Sequence, residues 1–191
     1  NTWLDEKTLY SALEEAMSMD PAVHFVSTGG AIPGHNTLTF ERFNSYVENS
    51  RFRNRFHFLG WIPTYEVGDV CDQADIAINI DRWTHEAEFG LRNRLYMWML
   101  RDTAVVTTAV SEEIQMFAAR KLVRPVKCGA PHDVAAAILD LTRNPEARSM
   151  MVKRAHDFIA NEYNFERLMQ PLRQWVESPS LAPDRLAVMG E

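Results

Sequence analysis

Cysteine is almost missing: Cys71 and Cys128 stand alone, at no metal-ligand spacing and with no disulfide framework. A zinc module is therefore not expected, and a reduced, cytoplasmic setting fits this usage best. Basic residues are outnumbered, 20 Lys and Arg against 26 Asp and Glu, for a formal charge of −6. A general nucleic-acid binder needs a basic face to neutralise phosphates, so that class is not expected either. Long apolar runs are also lacking. The longest small or apolar stretch, residues 134–139, is far short of the roughly 17–25 residues that cross a bilayer, so no transmembrane segment is expected. No basic-then-apolar leader opens the sequence, and no secretory signal is expected.

What remains is an ordinary globular composition, 46% hydrophobic and 24% charged over 191 residues. A chain a little over one typical domain of about 150 residues buries roughly 70% of its unfolded surface and needs no covalent staple. Short β-rich runs alternate with helical patterns. Leu9, Leu13, Ala16 and Met17 recur at helical spacing in residues 5–19, and Pro21 ends that helix. Strands are expected over 23–27, 55–61, 75–80, 104–108 and 124–128. Helices are expected over 40–48, 65–73, 91–100, after Ser111, and over 131–141, 145–162 and 165–176. Pro33, Gly34 and Asn36 mark a loop. Residues 1–178 read as one domain and 179–191, with Pro179 and Pro183, as a tail.

Strands separated by helices imply an α/β, doubly wound, mostly parallel sheet covered on both faces. Such sheets bind ligands beyond the carboxyl ends of their strands, so Gly29, Gly60, Asp81 and Thr107 are expected along one edge. The sequence opens on a helix with no strand before it, and the first strand of the series is expected upstream.

The turn over residues 81–94, DRWTHEAEFGLRNR, is the densest in polar groups. Arg92 and Arg94 add positive charge to the positive end of a helix, which calls for an anion in compensation. A phosphate in an open cleft is one candidate; internal pairing with Glu86 and Glu88 is the other. Gly29 and Gly30 end a strand where close backbone approach is useful, although taken alone they read first as an ordinary turn. Trp61 is placed to flank a flat base or to serve as packing. Gly-x-Gly-x-x-Gly and Gly-x-Ser-x-Gly motifs are absent, the six histidines do not pair at ligand spacing, and no carboxylate pair after a strand marks a metal site. Leu95, Trp98 and Met99 read as core.

The order of these turns resembles the C-terminal, donor-binding domain of two-domain retaining glycosyltransferases of group 1, with the GT-B fold. The resemblance rests on FVSTGG (25–30), FHFLGWIP (56–63), ADIAINI (74–80), EAEFGLRNRL (86–95), AVVTT (104–108), GAPHD (129–133) and DVAAAILDLTRNPEARSMM (133–151). It implies transfer of a sugar from a nucleotide-diphosphate donor to a glycan or lipid acceptor, with no metal or other cofactor. In that family a Glu-x7-Glu motif spans the residue 86–95 turn, its first Glu meeting the sugar and its second the ribose. Glu88, or Glu86 by a small shift, takes the first role; Leu95 or Tyr96 stands where the second Glu belongs. The family's Arg and Lys phosphate clamp has only Lys7 as a loose counterpart, and Arg92 and Arg94 are the expected substitutes. The resemblance thus assigns Glu88, Arg92 and Arg94 to catalysis, and Gly29, Gly30, Trp61, Glu86, Gly90 and Thr108 to donor binding. It implies an acceptor-binding domain upstream of this segment, which alone is expected to transfer no sugar. A non-catalytic nucleotide-binding or interaction module is the alternative, and an epimerase on a similar two-domain fold is a third.

Overall fold

Asp5 starts the first helix. Its carboxylate accepts from the Thr8 backbone N–H at 3.1 Å and from the Thr8 hydroxyl at 2.8 Å, which satisfies donors that a helix N-terminus leaves free. The helix that follows, α1 (Glu6–Met19), buries Leu9, Ala12, Leu13, Ala16 and Met17, the stripe its sequence spacing predicts. A computed structural model describes residues 3–32, 34–35 and 37–181. Pro33 and Asn36 of the expected loop, and residues 182–191 of the expected tail, lie outside the described residues.

After α1 come β1 (Phe25–Thr28), α2 (Leu38–Glu48), a 3-10 turn (Arg53–Arg55), β2 (Phe56–Gly60), α3 (Thr64–Asp72) and β3 (Ile76–Asn79). Next are α4 (His85–Phe89), α5 (Asn93–Leu100), β4 (Ala104–Thr108), α6 (Glu112–Ala119) and β5 (Arg124–Val126). Three helices close the order: α7 (Pro131–Arg143), α8 (Pro145–Glu162) and α9 (Phe165–Glu177). The α/β alternation is as expected except for α4, a short helix inside what reads as a turn. Thr84 makes that helix by accepting from the Ala87 N–H at 3.1 Å, with Glu86 and Glu88 in its positive first turn.

All pairings among these strands are parallel, but the strands form two sheets, β1-β2 and β3-β4-β5. Alternation alone predicts a single sheet. The break falls between β1 and β3, which do not pair. Beyond the end of β3, Leu4 makes one antiparallel bridge to Asp81, and the Asp5 N–H donates to the Ile80 carbonyl at 2.9 Å.

The three-stranded sheet is wound on both faces. Ile80, Ala104 and Val106 join Leu13 of α1 and Val134 and Ile138 of α7 in one core. Val105, pointing the other way by the period-2 rule, joins Leu95, Met99, Ile114, Phe117 and Ile159 from α5, α6 and α8 in a second core. The two-stranded sheet is covered on one face, where Phe25 and Phe56 meet Phe43 of α2. Val26 and Leu59, on its other face, are exposed.

Strand ends meet as the fold class requires. Gly29 donates its N–H to the Gly60 carbonyl at 2.6 Å, and both glycines hold positive φ, +85° and +66°. A side chain disfavours that conformation, so the two turns leave β1 and β2 with their backbones close. Asp81 and Thr107 mark the same ends of β3 and β4. An ion-pair chain links the two edges: Glu6, buried in the first turn of α1, takes Arg82 after β3 and Arg42 of α2 at 3.7 Å.

Leu13 is completely enclosed between α1 and α7. Leu13→Ala should cost about 2–5 kcal/mol, the range for emptying a packed core position, read as a lowered urea midpoint with an unchanged slope.

Candidate functional site

The apolar strand β3 ends in polar residues. Asn79 is its last member and Asp81 follows Ile80, and both side chains are about 1% exposed. The Asp81 N–H donates to the Thr108 hydroxyl at 2.9 Å. Asn79 Nδ2 donates to Asp81 Oδ2 at 3.1 Å and to the Thr107 hydroxyl at 3.3 Å. Arg92 Nε donates to the same Asp81 oxygen at 2.8 Å, while its guanidinium lies 5.3 Å from the centroid of the Trp3 ring. Asn79 Oδ1, Asp81 Oδ1, Arg92 Nη2 and Trp3 Nε1 are buried with no hydrogen-bond partner among the described residues. A polar knot thus locks the ends of β3 and β4 to the loop that enters α5.

This knot corrects two expectations. Arg92 does not face an open cleft; it is 7% exposed, and its carboxylate partner is Asp81 rather than Glu86 or Glu88. Thr108 is fully buried and its hydroxyl is turned inward to Asp81, so it positions the strand end and presents nothing to a ligand.

Arg94 is placed differently. It sits in the first turn of α5, partly exposed, with no ion pair or hydrogen bond among the described residues. Burial pulls its pKa down from the ordinary arginine value; the Asp81 carboxylate opposes that and the Arg92 charge adds to it. Asp81 is already engaged by Arg92, so the charge of Arg94 is incompletely met at the positive end of a helix.

Glu88 lies on α4 with its side chain 39% exposed and its Oε2 3.4 Å from His85 Nδ1; Glu86 is exposed. Gly90 separates α4 from α5 because nothing larger fits. A Cβ there would come within 2.4 Å of the Glu86 carbonyl and 2.7 Å of Arg92 Nη1. At the other edge, Trp61 donates its indole N–H to the Ala31 carbonyl at 3.1 Å and lies beside Gly30, where a Cβ would make ordinary contact at 3.6 Å. Gly29, Gly30 and Trp61 thus cluster at the ends of β1 and β2, while Glu86, Glu88, Gly90 and Arg94 lie between the end of β3 and the first turn of α5.

Sequence reasoning put Asp81 at the strand-end edge without pairing it to Arg92, and missed Asn79 and Trp3. An Asn and an Asp closing an otherwise apolar strand were the available signal. Tyr96, at the position of the expected second Glu, donates its hydroxyl to Glu113 and stacks toward Tyr163 at 5.6 Å. Burial first, then Glu113, raises its pKa above the ordinary tyrosine value.

A mostly parallel, doubly wound sheet with its polar groups at the strand ends defines a Rossmann-like α/β domain. Residues 8–174 match the family described as glycosyl transferase-like, and the chain belongs to that family. No curated protein matches it significantly. Among solved structures it is similar to Anabaena HepE in complex with UDP, at TM-score 0.80 and 15% identity over 93% of this chain and 46% of that one. It is similar to S. aureus TarM in complex with fondaparinux, alpha-GlcNAc-glycerol and UDP, at TM-score 0.74 and 17% identity, covering 93% of this chain and 33% of that one. It is also similar to the C-terminal domain of the group 1 glycosyl transferase LpcC of Francisella tularensis, at TM-score 0.69 and 17% identity over 83% and 79% of the two chains. The chain spans less than half the length of the TarM and HepE chains. Its fold is that of the C-terminal half of GT-B glycosyltransferases.

Breaking the buried pair tests the knot. Asp81→Ala leaves Arg92 charged and unpaired and should cost about 3–5 kcal/mol in chemical denaturation, whereas Asp81→Ala with Arg92→Met should recover much of the loss.

Proposed function

We propose that this domain is the nucleotide-sugar-binding half of a retaining glycosyltransferase, with the donor diphosphate held against the first turn of α5. One observation carries the reading: Arg94 is a partly desolvated guanidinium without an ion-pair partner among the described residues, at a helix N-terminus beside a carboxylate already engaged. A diphosphate supplies the missing negative charge, and helix N–H groups and a guanidinium both suit it. The UDP, UDP with glucose, and UDP-glucose complexes of the similar HepE support a nucleoside diphosphate as the ligand.

The roles follow from chemistry. As the glycosidic bond breaks, negative charge gathers on the leaving diphosphate, and a preorganised guanidinium and backbone N–H groups stabilise it. Arg94 takes that role directly; no metal ion is assigned one. Arg92 acts through Asp81 as a positioning residue that fixes the loop carrying Gly90. Glu88 accepts hydrogen bonds from hydroxyls of the donor sugar. Gly29 and Gly30 admit the phosphates closely, and Trp61 flanks the base. The acceptor, a glycan or lipid, is held by a second domain upstream. Orientation of donor against acceptor contributes roughly 7–11 kcal/mol to such reactions, so this domain alone binds donor without transferring sugar. A cytoplasmic setting belongs to the same reading and is supported by two free thiols, Cys71 and Cys128.

A non-catalytic nucleotide-binding module is the second reading. It is favoured by Tyr96, which is engaged with Glu113 and Tyr163 where the family has its ribose-binding Glu.

Calorimetric titration with UDP and GDP tests the proposal. Arg94→Ala should weaken binding roughly 10- to 100-fold, the equivalent of one or two lost charge-assisted contacts. Unchanged affinity would remove Arg94 from the site, and the absence of binding by either nucleotide would overturn the donor assignment. Slow release of diphosphate from a bound nucleotide sugar, lost in Glu88→Gln, favours the enzyme over the module.

A further inference from the structure

The loop and short helix between β3 and α5 expose an unusual run of rings. Trp83 is 61% exposed and Phe89 81%, with the exposed His85 side chain between them. The rings are in mutual contact: Trp83 to His85 at 5.3 Å between centroids, edge to face, and His85 to Phe89 at 6.4 Å, nearly parallel. None of these side chains joins either core. Exposed apolar surface of this kind, held in order, marks a surface that is covered in use.

The polar groups around the rings identify what covers them. Glu86 and Glu88 alternate with the aromatics, and Glu88 contacts His85. No Lys or Arg lies between Trp83 and Leu91. The flanking Arg82 and Arg92 are both committed, to Glu6 and Asp81. An anionic headgroup or phosphate therefore finds no free cation in this strip. A pyranose ring fits it. One face of such a ring is a patch of C–H bonds with slight positive character, which the negative face of an aromatic ring attracts. Its edge carries hydroxyl donors, and ionised carboxylates are acceptors only.

We propose that Trp83, His85 and Phe89 form a stacking platform for a saccharide ring of the acceptor, with Glu86 accepting from its hydroxyls. This rests on the glycosyltransferase reading above and extends it: the acceptor presents a carbohydrate, rather than a bare lipid hydroxyl, to this half of the enzyme. The platform borders Glu88, so a ring stacked on it lies next to the residue assigned to the donor sugar.

Saturation-transfer NMR with cellobiose, maltose and chitobiose, with UDP present, tests this. Transfer should reach the ring C–H protons of at least one probe. Trp83→Ala with Phe89→Ala should reduce it about tenfold, the scale of losing two aromatic contacts. Trp83→Phe should retain most of it, and Tyr65→Ala, which removes an exposed ring elsewhere, should leave it intact. All these side chains are exposed, so circular dichroism should show the variants folded. No transfer from any probe, or transfer undiminished in the double variant, overturns the platform. Self-association that vanishes in the double variant, seen by sedimentation, also overturns it by making the strip a protein interface. Calorimetry with UDP reads the donor site separately. Retained UDP binding confines a failure to the platform, and lost UDP binding overturns both assignments.

Discussion

The ion pair of Asp81 and Arg92 ties the ends of β3 and β4 to the start of α5. Burying two charges costs several kcal/mol per ion, and their attraction offsets this only where geometry and further hydrogen bonds are good. Here Asp81 Oδ2 accepts from both Arg92 and Asn79, and the Asp81 backbone is held by Thr108. Asp81 Oδ1 and Arg92 Nη2 have no partner among the described residues. The pair therefore contributes position more than net stability. It sets where β3 stops, where Gly90 turns, and how α5 points its first turn outward. With Arg92 consumed inside, Arg94 is left as the arginine of this turn that can meet a ligand.

A second carboxylate, Glu6, does comparable work between the two sheets. Because β1 and β3 do not pair, no ladder of hydrogen bonds carries the β1-β2 edge to the β3-β4 edge. The two are joined by a shared core, in which Phe43 and Phe56 lie with Ile80 and Val106, and by an ion-pair chain from Arg82 through Glu6 to Arg42 at the positive end of α1, where an acid is favoured. Both the core and the ion-pair chain run through α1, which is itself packed on α7 by Leu13 and its neighbours.

Much of the fold was legible from periodicity. The stripe of α1, the buried run of β4, the Ser111 cap and the α/β order follow from local chemistry, and they stand in the structure within a few residues. What periodicity does not carry is pairing: nothing in FVST or IAIN says that these strands remain apart. Electrostatic reasoning at residues 81–94 found that two arginines at a helix start need an anion. It could not separate them, because the difference lies in a tertiary contact: Asp81, at the strand end, is within reach of Arg92 and is then spent. The family resemblance assigned Glu88 and Gly90 to the site from the segment EAEFGLRNRL. Thr108, read from the same resemblance, turned out to face inward because its hydroxyl is needed by the Asp81 backbone.

Among the described residues, the break between β1 and β3 leaves each of the two strands with a strand partner on one side only. Natural sheets blunt such edges with lysine, proline or inward charge, and neither FVST nor IAIN contains any of these. The colloidal behaviour of the isolated domain is then a contest. Any strand addition between molecules would run through these uncharged, β-prone edges, while a net charge of −6 keeps molecules apart. Repulsion of that kind fades beyond about 8 Å at physiological ionic strength, whereas edge pairing is not screened. Salt, rather than heat, is the condition under which the split sheet would first announce itself.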